Sequence, residues 1–305
     1  MTVRPPGAPV LGPGTPEPAF PIRMIALDID GTIIGDDLLL GRRIRTAIRA
    51  ALERGVRVSL VTGRMATSAQ RYAEELGLID PIVAYQGALI REMPVGGGRL
   101  GRLLIHRPLP AAVARRAIDW SIGNGLDPHI NHLETFVIRG DDPRVDDYSA
   151  FLGAPARRVP DIGRSVVRPV TKILAAADAP RPMHSLDAAR LAFTGHADVT
   201  VSHPRFLEFV APGVSKGRAV RWLARRHGLP LGQALAIGDH LNDLEMIQAV
   251  GHGAAMPSSP PAVIQAARYR AGPLEADGAA ELIEALVLQP EAAARRNAAV
   301  LAARD

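Results

Sequence analysis

Short apolar runs that alternate with amphipathic helical segments dominate both ends of the chain. Runs without polar residues are typical of strands buried on both faces, whereas apolar residues three and four apart indicate helices that cover them. This alternation predicts a parallel sheet with helices on both faces. The predicted core strands cover 24–27, 56–61, 82–85 and 234–237, with a further strand near Ala254, and the helices between and after them cover 44–52, 216–227 and 279–288.

The middle of the chain has a different pattern. From about Gly87 to Phe209 the predicted strands are paired and often alternate in polarity, as in 134–139. Helices are predicted near 109–122 and 182–193, which indicates an α+β insert over an antiparallel sheet. We therefore expect a discontinuous core over 22–86 and 210–289, with an inserted domain over 87–209.

The remaining segments and the composition exclude several classes of protein. Residues 1–21 hold seven prolines and predict a disordered tail, and 290–305 predicts a helix or a tail. Cysteine is absent, which rules out disulfides and thiolate metal sites. No apolar stretch reaches the ~20 residues of a membrane span, and the N-terminus lacks the apolar core of a secretory signal, so no membrane partner and a cytoplasmic location are expected.

The basic residues carry two further signals. The net charge of +5 is scattered among acidic residues rather than grouped with aromatics, which argues against a nucleic-acid partner. Lysine and arginine together number 36, yet only Lys172 and Lys216 are lysines. Lysine is a compact point charge and arginine a broad planar fork, so a retained lysine suggests a tight site. This favours a role for Lys216, whereas Lys172 begins an apolar strand and receives no assignment.

Two carboxylates, Asp28 and Asp30, follow the first apolar run. Asp-Gly is also a common turn pair, so a plain turn is the alternative interpretation. A carboxylate can attack phosphorus to form an acyl phosphate, and a second carboxylic acid can protonate the leaving alcohol. The pair therefore fits a nucleophile with a general acid/base beside it.

Three later loops offer groups that hold phosphate or metal. Thr62 and Gly63 follow the second strand and could bind phosphate through a hydroxyl and backbone N–H groups, although a helix cap is the alternative. Lys216 opens a predicted helix, where helix N–H groups already favour an anion. The last loop, 238–243, contains hard oxygen ligands of the kind Mg²⁺ prefers, and its spacing does not match an EF-hand. Its candidate residues are Asp239, Asn242 and Asp243.

These four loops are expected to converge, because the loops at the carboxyl ends of parallel strands share one crevice. Together they supply a nucleophile, an acid/base, phosphate donors and metal carboxylates, which is the set that phosphoryl transfer requires. No Walker-type loop is present, so nucleotide hydrolysis by that route is not expected.

The four loops, in this order, resemble the motifs of the haloacid dehalogenase superfamily, and the large insert resembles the C2 cap of its Cof-type phosphatases. The resemblance covers roughly 22–288 and implies a Rossmann-like core with an α+β cap. It implies that Asp28 is the nucleophile and Asp30 the general acid/base. It also implies phosphoryl contacts from Thr62, Gly63, Lys216 and Asn242, and a Mg²⁺ site made of Asp28, Asp30 (through its carbonyl) and Asp239, with Asp243 supporting it.

The sequence departs from the family pattern at Gln86, where asparagine is usual, at 256–259 and at Leu274. None of these positions belongs to the nucleophile or to the metal carboxylates. His129 and His132 could face a substrate, but we expect a surface position or a core position with satisfied hydrogen bonds.

The resemblance implies a phosphomonoester hydrolase for a sugar phosphate or a similar small phosphorylated metabolite. A phosphohexomutase, which shares this core and cap type, is the second interpretation. A catalytically silent phosphate-binding regulator is the third and ranks last, because Asp28 and Asp30 are both present.

Overall fold

The computed structural model describes residues 21–95, 99–140, 142, 144–153 and 155–288. The predicted N-terminal tail, apart from Pro21, and the predicted C-terminal segment lie outside these residues. The strands are β1 (Met24–Leu27), β2 (Arg57–Leu60), β3 (Ile82–Ala84), β4 (Leu89–Arg91), β5 (Leu103–His106), β6 (Asp127–His132), β7 (Thr135–Arg139), β8 (Ala156–Val159), β9 (Lys172–Ala176), β10 (Asp198–His203), β11 (Phe206–Val210), β12 (Ala234–Gly238), β13 (His252–Ala255) and β14 (Tyr269–Arg270).

The α-helices match the segments that apolar spacing predicts, with several additions. They are α1 (Arg42–Glu53), α2 (Ala66–Glu75), α3 (Ala111–Gly123), α4 (Val145–Leu152), α5 (Arg181–Ala192), α6 (Lys216–Arg226), α7 (Leu244–Ala249), α8 (Pro261–Ala266) and α9 (Gly278–Ile283). A π-helical segment, Glu284–Leu288, follows α9 directly.

The described residues form two compact units. The first takes the described parts of Met1–Val61, Tyr72–Asp80 and Lys216–Asp305, and the second takes Thr62–Arg71 and Pro81–Ser215. Residues 62–71, 81–86 and 210–215, which the sequence analysis placed with the core, therefore cluster with the second unit.

The first unit contains a five-stranded sheet in the order β14-β13-β12-β1-β2, and every neighbouring pair is parallel. All four residues of β1 are buried, as expected for a strand without polar residues. One face of α1 is also buried, and this helix packs against α9 and β2. After it, Gly55 adopts a φ of +75°, a conformation that glycine reaches without a steric penalty. The predicted parallel α/β core is confirmed.

The second unit contains a six-stranded sheet in the order β10-β11-β9-β6-β7-β8. Its pairs are antiparallel except β7 with β8, so the insert holds a mixed sheet. A three-stranded sheet, β3-β4-β5, belongs to the same unit. The third strand predicted for the parallel core exists as β3, but its ladder partner is β4 in an antiparallel pair, because the chain reverses tightly through 85–88.

One apolar cluster joins these parts of the second unit. It contains Leu174 and Phe206 from the six-stranded sheet together with Tyr85, Met65 and Ala66. The residues that follow Thr62–Arg64 are thus packed in the core of this unit, and that packing restrains the loop.

Candidate active site

The first carboxylate loop begins where β1 ends. The amide of Asp28 donates to the Ile237 carbonyl over 3.0 Å, so the pairing with β12 continues one residue beyond the strand. Asp28 is buried, with a relative exposure of 5% for the whole residue. Gly31 follows at a φ of +72° and its amide donates to the Ile34 carbonyl over 3.0 Å. A tight turn therefore exists here, and it places a buried carboxylate at the strand end.

The second carboxylate loop begins where β12 ends and is organised by Asp243. One oxygen of Asp243, Oδ2, accepts the backbone amides of Asp239 and His240 at 3.1 and 3.0 Å. The side chain is completely buried. Asp243 thereby fixes the course of the loop that carries Asp239.

Lys216, the first residue of α6, connects the two loops. Its Nζ lies 2.8 Å from Asp28 Oδ1 and 2.6 Å from Asp243 Oδ1. The side chain has no exposed surface. The burial of this ammonium between two carboxylates excludes the solvated lysine as an interpretation and makes the cluster a candidate functional site.

Asp239 completes an acidic cluster with Asp28 and Asp243. One carboxylate oxygen from each lies within 4.8 Å of the others, a grouping that can hold a metal ion. Asp239 also packs closely against the first loop, since a Cβ at Gly31 would lie 2.3 Å from Asp239 Oδ2. Both oxygens of Asp243 already accept hydrogen bonds, so Asp28 and Asp239 are the members better suited to contact an ion directly. The cluster is consistent with the metal site of the superfamily phosphatases.

Burial, and after it a surplus of negative charge, shifts the pKa values of the cluster. Burial, reinforced by Asp243 and opposed by Lys216, raises the pKa of Asp28 to about 7. Burial and the nearby Asp28 raise the pKa of Asp239 to about 9. Burial alone would lower the pKa of Lys216, but Asp243 and Asp28 raise it above its usual value. A cation in the cluster would relieve this repulsion and favour the ionised carboxylates.

The structure brings together only part of the predicted site within one unit. Asp30 lies in the turn after Asp28, and Asn242 lies in the 3₁₀ turn Leu241–Asp243, both in the first unit. Thr62 and Gly63 belong to the second unit. Along the chain, Thr62 directly follows Val61, whose amide donates to the Leu27 carbonyl over 2.7 Å in the first unit.

A polar network in the second unit surrounds the loop 62–64. Thr62 Oγ1 accepts the Arg64 amide over 3.1 Å, so the hydroxyl organises its own loop. The side chain of Lys172 donates to the Gly63 carbonyl over 2.9 Å and to Glu208 Oε1 over 2.6 Å. Sequence reasoning left Lys172 without a role, although the scarcity of lysine applied to it as much as to Lys216.

The histidines of β6 differ from expectation. His129 is fully buried, and its ring lies 4.5 Å from Tyr148 and 5.1 Å from Phe136, measured between ring centroids. Neither ring nitrogen has a hydrogen-bond partner in the described part of the chain. The expectation of a surface position or a satisfied core position is therefore wrong for His129. His132, at the end of β6, is half-buried, with its ring centroid 5.8 Å from that of His106.

Comparison with known proteins identifies the family. Residues 25–283 match the family described as haloacid dehalogenase-like hydrolase. The chain belongs to the haloacid dehalogenase-like hydrolases. Its inserted unit with a mixed sheet is consistent with a C2 cap of the Cof type. Among the described residues of this hydrolase, no helix is long and apolar enough to cross a membrane.

Individual relatives agree with this assignment. The protein YxeH of Bacillus subtilis (strain 168) is 29% identical over 87% of this chain and 98% of its own length. The 5-amino-6-(5-phospho-D-ribitylamino)uracil phosphatase YitU of the same organism is 27% identical over 86% of this chain and 96% of its own. A solved haloacid dehalogenase-like hydrolase from Bacteroides thetaiotaomicron has a TM-score of 0.74 at 27% identity, covering 86% of this chain and 98% of that one. The family and these relatives make the chain a phosphatase.

Proposed function

We propose that this hydrolase is a Mg²⁺-dependent phosphatase that removes the phosphoryl group of a small phosphorylated metabolite through an aspartyl-phosphate on Asp28. The observation that carries the proposal is the buried contact of Lys216 Nζ with Asp28 Oδ1 and Asp243 Oδ1 at 2.8 and 2.6 Å. It places an ammonium next to the proposed nucleophile, where it can favour the carboxylate form and neutralise phosphoryl oxygens.

The reaction proceeds in two displacements on phosphorus. In the first, an Asp28 oxygen bonds to phosphorus, the ester P–O bond breaks, and the leaving oxygen takes a proton from the Asp30 carboxylic acid. In the second, the Asp30 carboxylate removes a proton from water as that water attacks the aspartyl-phosphate. Inorganic phosphate leaves and Asp28 returns to its carboxylate form.

The remaining residues of the site hold the phosphoryl group and the metal. We assign phosphoryl oxygens to the Thr62 hydroxyl, the Gly63 backbone, the Lys216 ammonium and the Asn242 amide. We assign Mg²⁺ to Asp28, Asp239 and Asp30, the last through its backbone carbonyl, with Asp243 supporting the Asp239 loop. When bound, Mg²⁺ supplies charge neutralisation to the phosphoryl oxygens.

The proposed substrate class is supported by the relatives rather than by the site. YitU acts on a phosphorylated ribityl compound by its name, and we extend this to phosphate monoesters of sugars, alditols and similar small metabolites. The C2 cap is expected to select among these leaving groups.

The experiment is phosphate release from a panel of sugar, alditol, nucleotide and cofactor phosphates, with and without Mg²⁺. We expect turnover of at least one ester that requires metal and is absent in Asp28→Asn. Asp36→Asn is a control for loss of an acidic residue, because Asp36 is exposed and lies outside the proposed site. Interconversion of hexose phosphates without phosphate release would favour the mutase, and absence of both activities would favour the phosphate-binding regulator.

A further inference from the structure

Both lysines of the chain are buried, but only one has a place in the proposed reaction. Lys216 has a relative exposure of 0% and Lys172 of 2%. A buried lysine must be compensated by partners, because removing an ammonium from water is expensive. In a chain that otherwise uses arginine, the partners of Lys172 point to its role.

The first partner of Lys172 is Glu208. Lys172 begins β9 and Glu208 lies within the neighbouring β11, and their charged atoms are 2.6 Å apart. The Glu208 carboxylate also accepts the Ser202 hydroxyl over 2.7 Å and the Gln86 side-chain amide over 2.9 Å. Its charge is therefore matched by one ammonium and its oxygens by three donors. This pair is electrically balanced without any ligand.

The second partner is the Gly63 carbonyl, in the loop proposed to hold phosphate. Lys172 Nζ donates to it over 2.9 Å. The carbonyls on either side are also held: the Gln86 amide donates to the Thr62 carbonyl and the Tyr85 amide to the Arg64 carbonyl, both over 3.0 Å. Among these three donors, Lys172 is the one that acts through a side chain.

The backbone donors occupy a constrained turn. Tyr85 and Gln86 have φ values of 52° and 61°, which side-chain-bearing residues adopt rarely. Gly63 leaves no room for a side chain, since a Cβ there would lie 2.5 Å from Gln86 Nε2. Backbone strain of this kind persists where the surroundings over-determine it, and it clusters at functional sites.

Fixing the direction of the Gly63 carbonyl also fixes the direction of the Arg64 N–H in the same peptide. In a planar trans peptide the carbonyl of Gly63 and the N–H of Arg64 point in opposite directions. That N–H donates to Thr62 Oγ1 over 3.1 Å. A hydroxyl oxygen that accepts this bond still has its own hydrogen to donate, and that hydrogen is what a phosphoryl oxygen needs.

We propose that Lys172, balanced by Glu208, is a positioning residue that orients the Gly63–Arg64 peptide and, through it, the Thr62 hydroxyl that would donate a hydrogen bond to a phosphoryl oxygen. This inference rests on the proposed function, because it concerns how the same enzyme holds phosphate. Lys172 is assigned to the loop rather than to the substrate because its charge is matched by Glu208 alone and its ammonium donates to the Gly63 carbonyl, whereas Lys216 contacts the proposed nucleophile itself.

The test replaces both members of the Lys172–Glu208 ion pair by uncharged side chains, so that no unpaired charge stays buried. Lys172→Met alone would strand Glu208, so the informative variant is Lys172→Met/Glu208→Gln. If this variant does not fold, Lys172→Met/Glu208→Met replaces the pair by apolar side chains, which proteins commonly tolerate. The matched control is Arg91→Met/Glu134→Gln, which removes another ion pair of the same unit, with 2.8 Å between the charged atoms. Like Lys172, Arg91 also donates to a glycine carbonyl, here that of Gly101.

The readouts are the inhibition constant of inorganic phosphate, KM and kcat for the best ester, the Mg²⁺ activation constant and Tm. We expect the Lys172/Glu208 variant to weaken phosphate inhibition about 10- to 100-fold, the range for losing an oriented hydrogen bond to a charged group. The Mg²⁺ constant and Tm should stay near those of the wild type, and the control should keep wild-type phosphate inhibition.

A double-mutant cycle with Thr62→Val distinguishes positioning of the Thr62 hydroxyl by Lys172 from a general loosening of the loop 62–64. If Lys172 acts through the Thr62 hydroxyl, Thr62→Val should weaken phosphate inhibition in the wild type but add little in the Lys172/Glu208 variant. Fully additive effects, or wild-type phosphate inhibition in that variant, would overturn the inference while leaving the phosphatase intact. If the wild type hydrolyses no ester, the proposed function fails. The binding of orthophosphate to the same set of variants is then measured by calorimetry. Absence of orthophosphate binding would overturn both.

Discussion

The two buried lysines lie in environments of opposite charge balance. Lys216 shares its surroundings with the carboxylates of Asp28, Asp239 and Asp243, so the first unit carries more buried negative charge than its ammonium can match. Lys172 contacts one carboxylate, that of Glu208, and one neutral acceptor, the Gly63 carbonyl. The first cluster carries negative charge that an added cation would match, whereas the charges of the second are balanced within the protein.

In our proposal, this difference in charge balance separates the reacting site, around Lys216, from the residues that hold the phosphate loop in place, around Lys172. Burial, together with the neighbouring carboxylates, raises the pKa of Asp28 and Asp239, and a cation at the cluster would relieve the repulsion between these carboxylates. A balanced pair contributes geometry, here the direction of a peptide plane in the loop 62–64. Four predictions test the contrast, and they run from the largest expected effect to the smallest.

Replacing the proposed nucleophile should have the largest effect. Asp28→Asn should lower kcat by about 10⁴-fold or more, because the covalent step has no alternative carboxylate with the same contacts. Circular dichroism should show an unchanged fold. Asp36→Asn, at the exposed acid that serves as control, should retain wild-type kcat. Residual activity within tenfold of the wild type would contradict the assignment.

The two lysines should respond differently to the same substitution. Lys172→Met should destabilise the protein by about 3–5 kcal/mol, because it leaves Glu208 buried and unpaired. Added Mg²⁺ should raise the Tm of Lys216→Met more than that of Lys172→Met, because the cation can take over part of the ammonium's role beside Asp28 and Asp243. An equal rise in Tm for both variants on addition of Mg²⁺, measured by thermal unfolding, would contradict the proposed difference between the two lysine environments.

The surplus charge of the first unit should make the metal-free protein less stable at high pH. The pKa of Asp239 is raised, to about 9, above its unfolded value. The folded state therefore binds more protons between about pH 4 and 9, and its stability falls as pH rises through that window. Asp239→Asn should flatten this slope and raise the metal-free Tm at pH 8 by several degrees. An unchanged slope would contradict the charge account.

The smallest effect concerns acid stability and the second unit. Burial lowers the pKa of His129 to about 3, below its unfolded value. The unfolded state therefore binds the proton more readily between about pH 6.5 and 3, and stability is lost as pH falls through that range. His129→Leu should retain about 2 kcal/mol of unfolding free energy that the wild type loses by pH 5, as measured by denaturant titration. His196→Leu, at an exposed histidine, should change nothing.

The sequence predicted the first unit well because its signals are local. Apolar runs mark strands that are buried on both faces, and the polar residues after them fall at strand ends, so Asp28 and Asp239 could be paired through the rules of parallel sheets. The second unit was harder. Lys172 and Glu208 meet through the register of antiparallel strands, and the contact with Gly63 joins residues 109 positions apart. The local sequence pattern predicts neither the pairing of β3 with β4 nor the burial of His129 without hydrogen-bond partners.

The most direct test of the account is to look for phosphate on Asp28 itself. The enzyme would be mixed with Mg²⁺ and its best ester, quenched in acid within the first turnover, digested and analysed by mass spectrometry. We expect an added phosphoryl group, labile to hydroxylamine, on the peptide containing Asp28, and its absence in Asp28→Asn. Phosphate release in the first turnover with no modified Asp28, or with the label on another residue, would contradict the central claim.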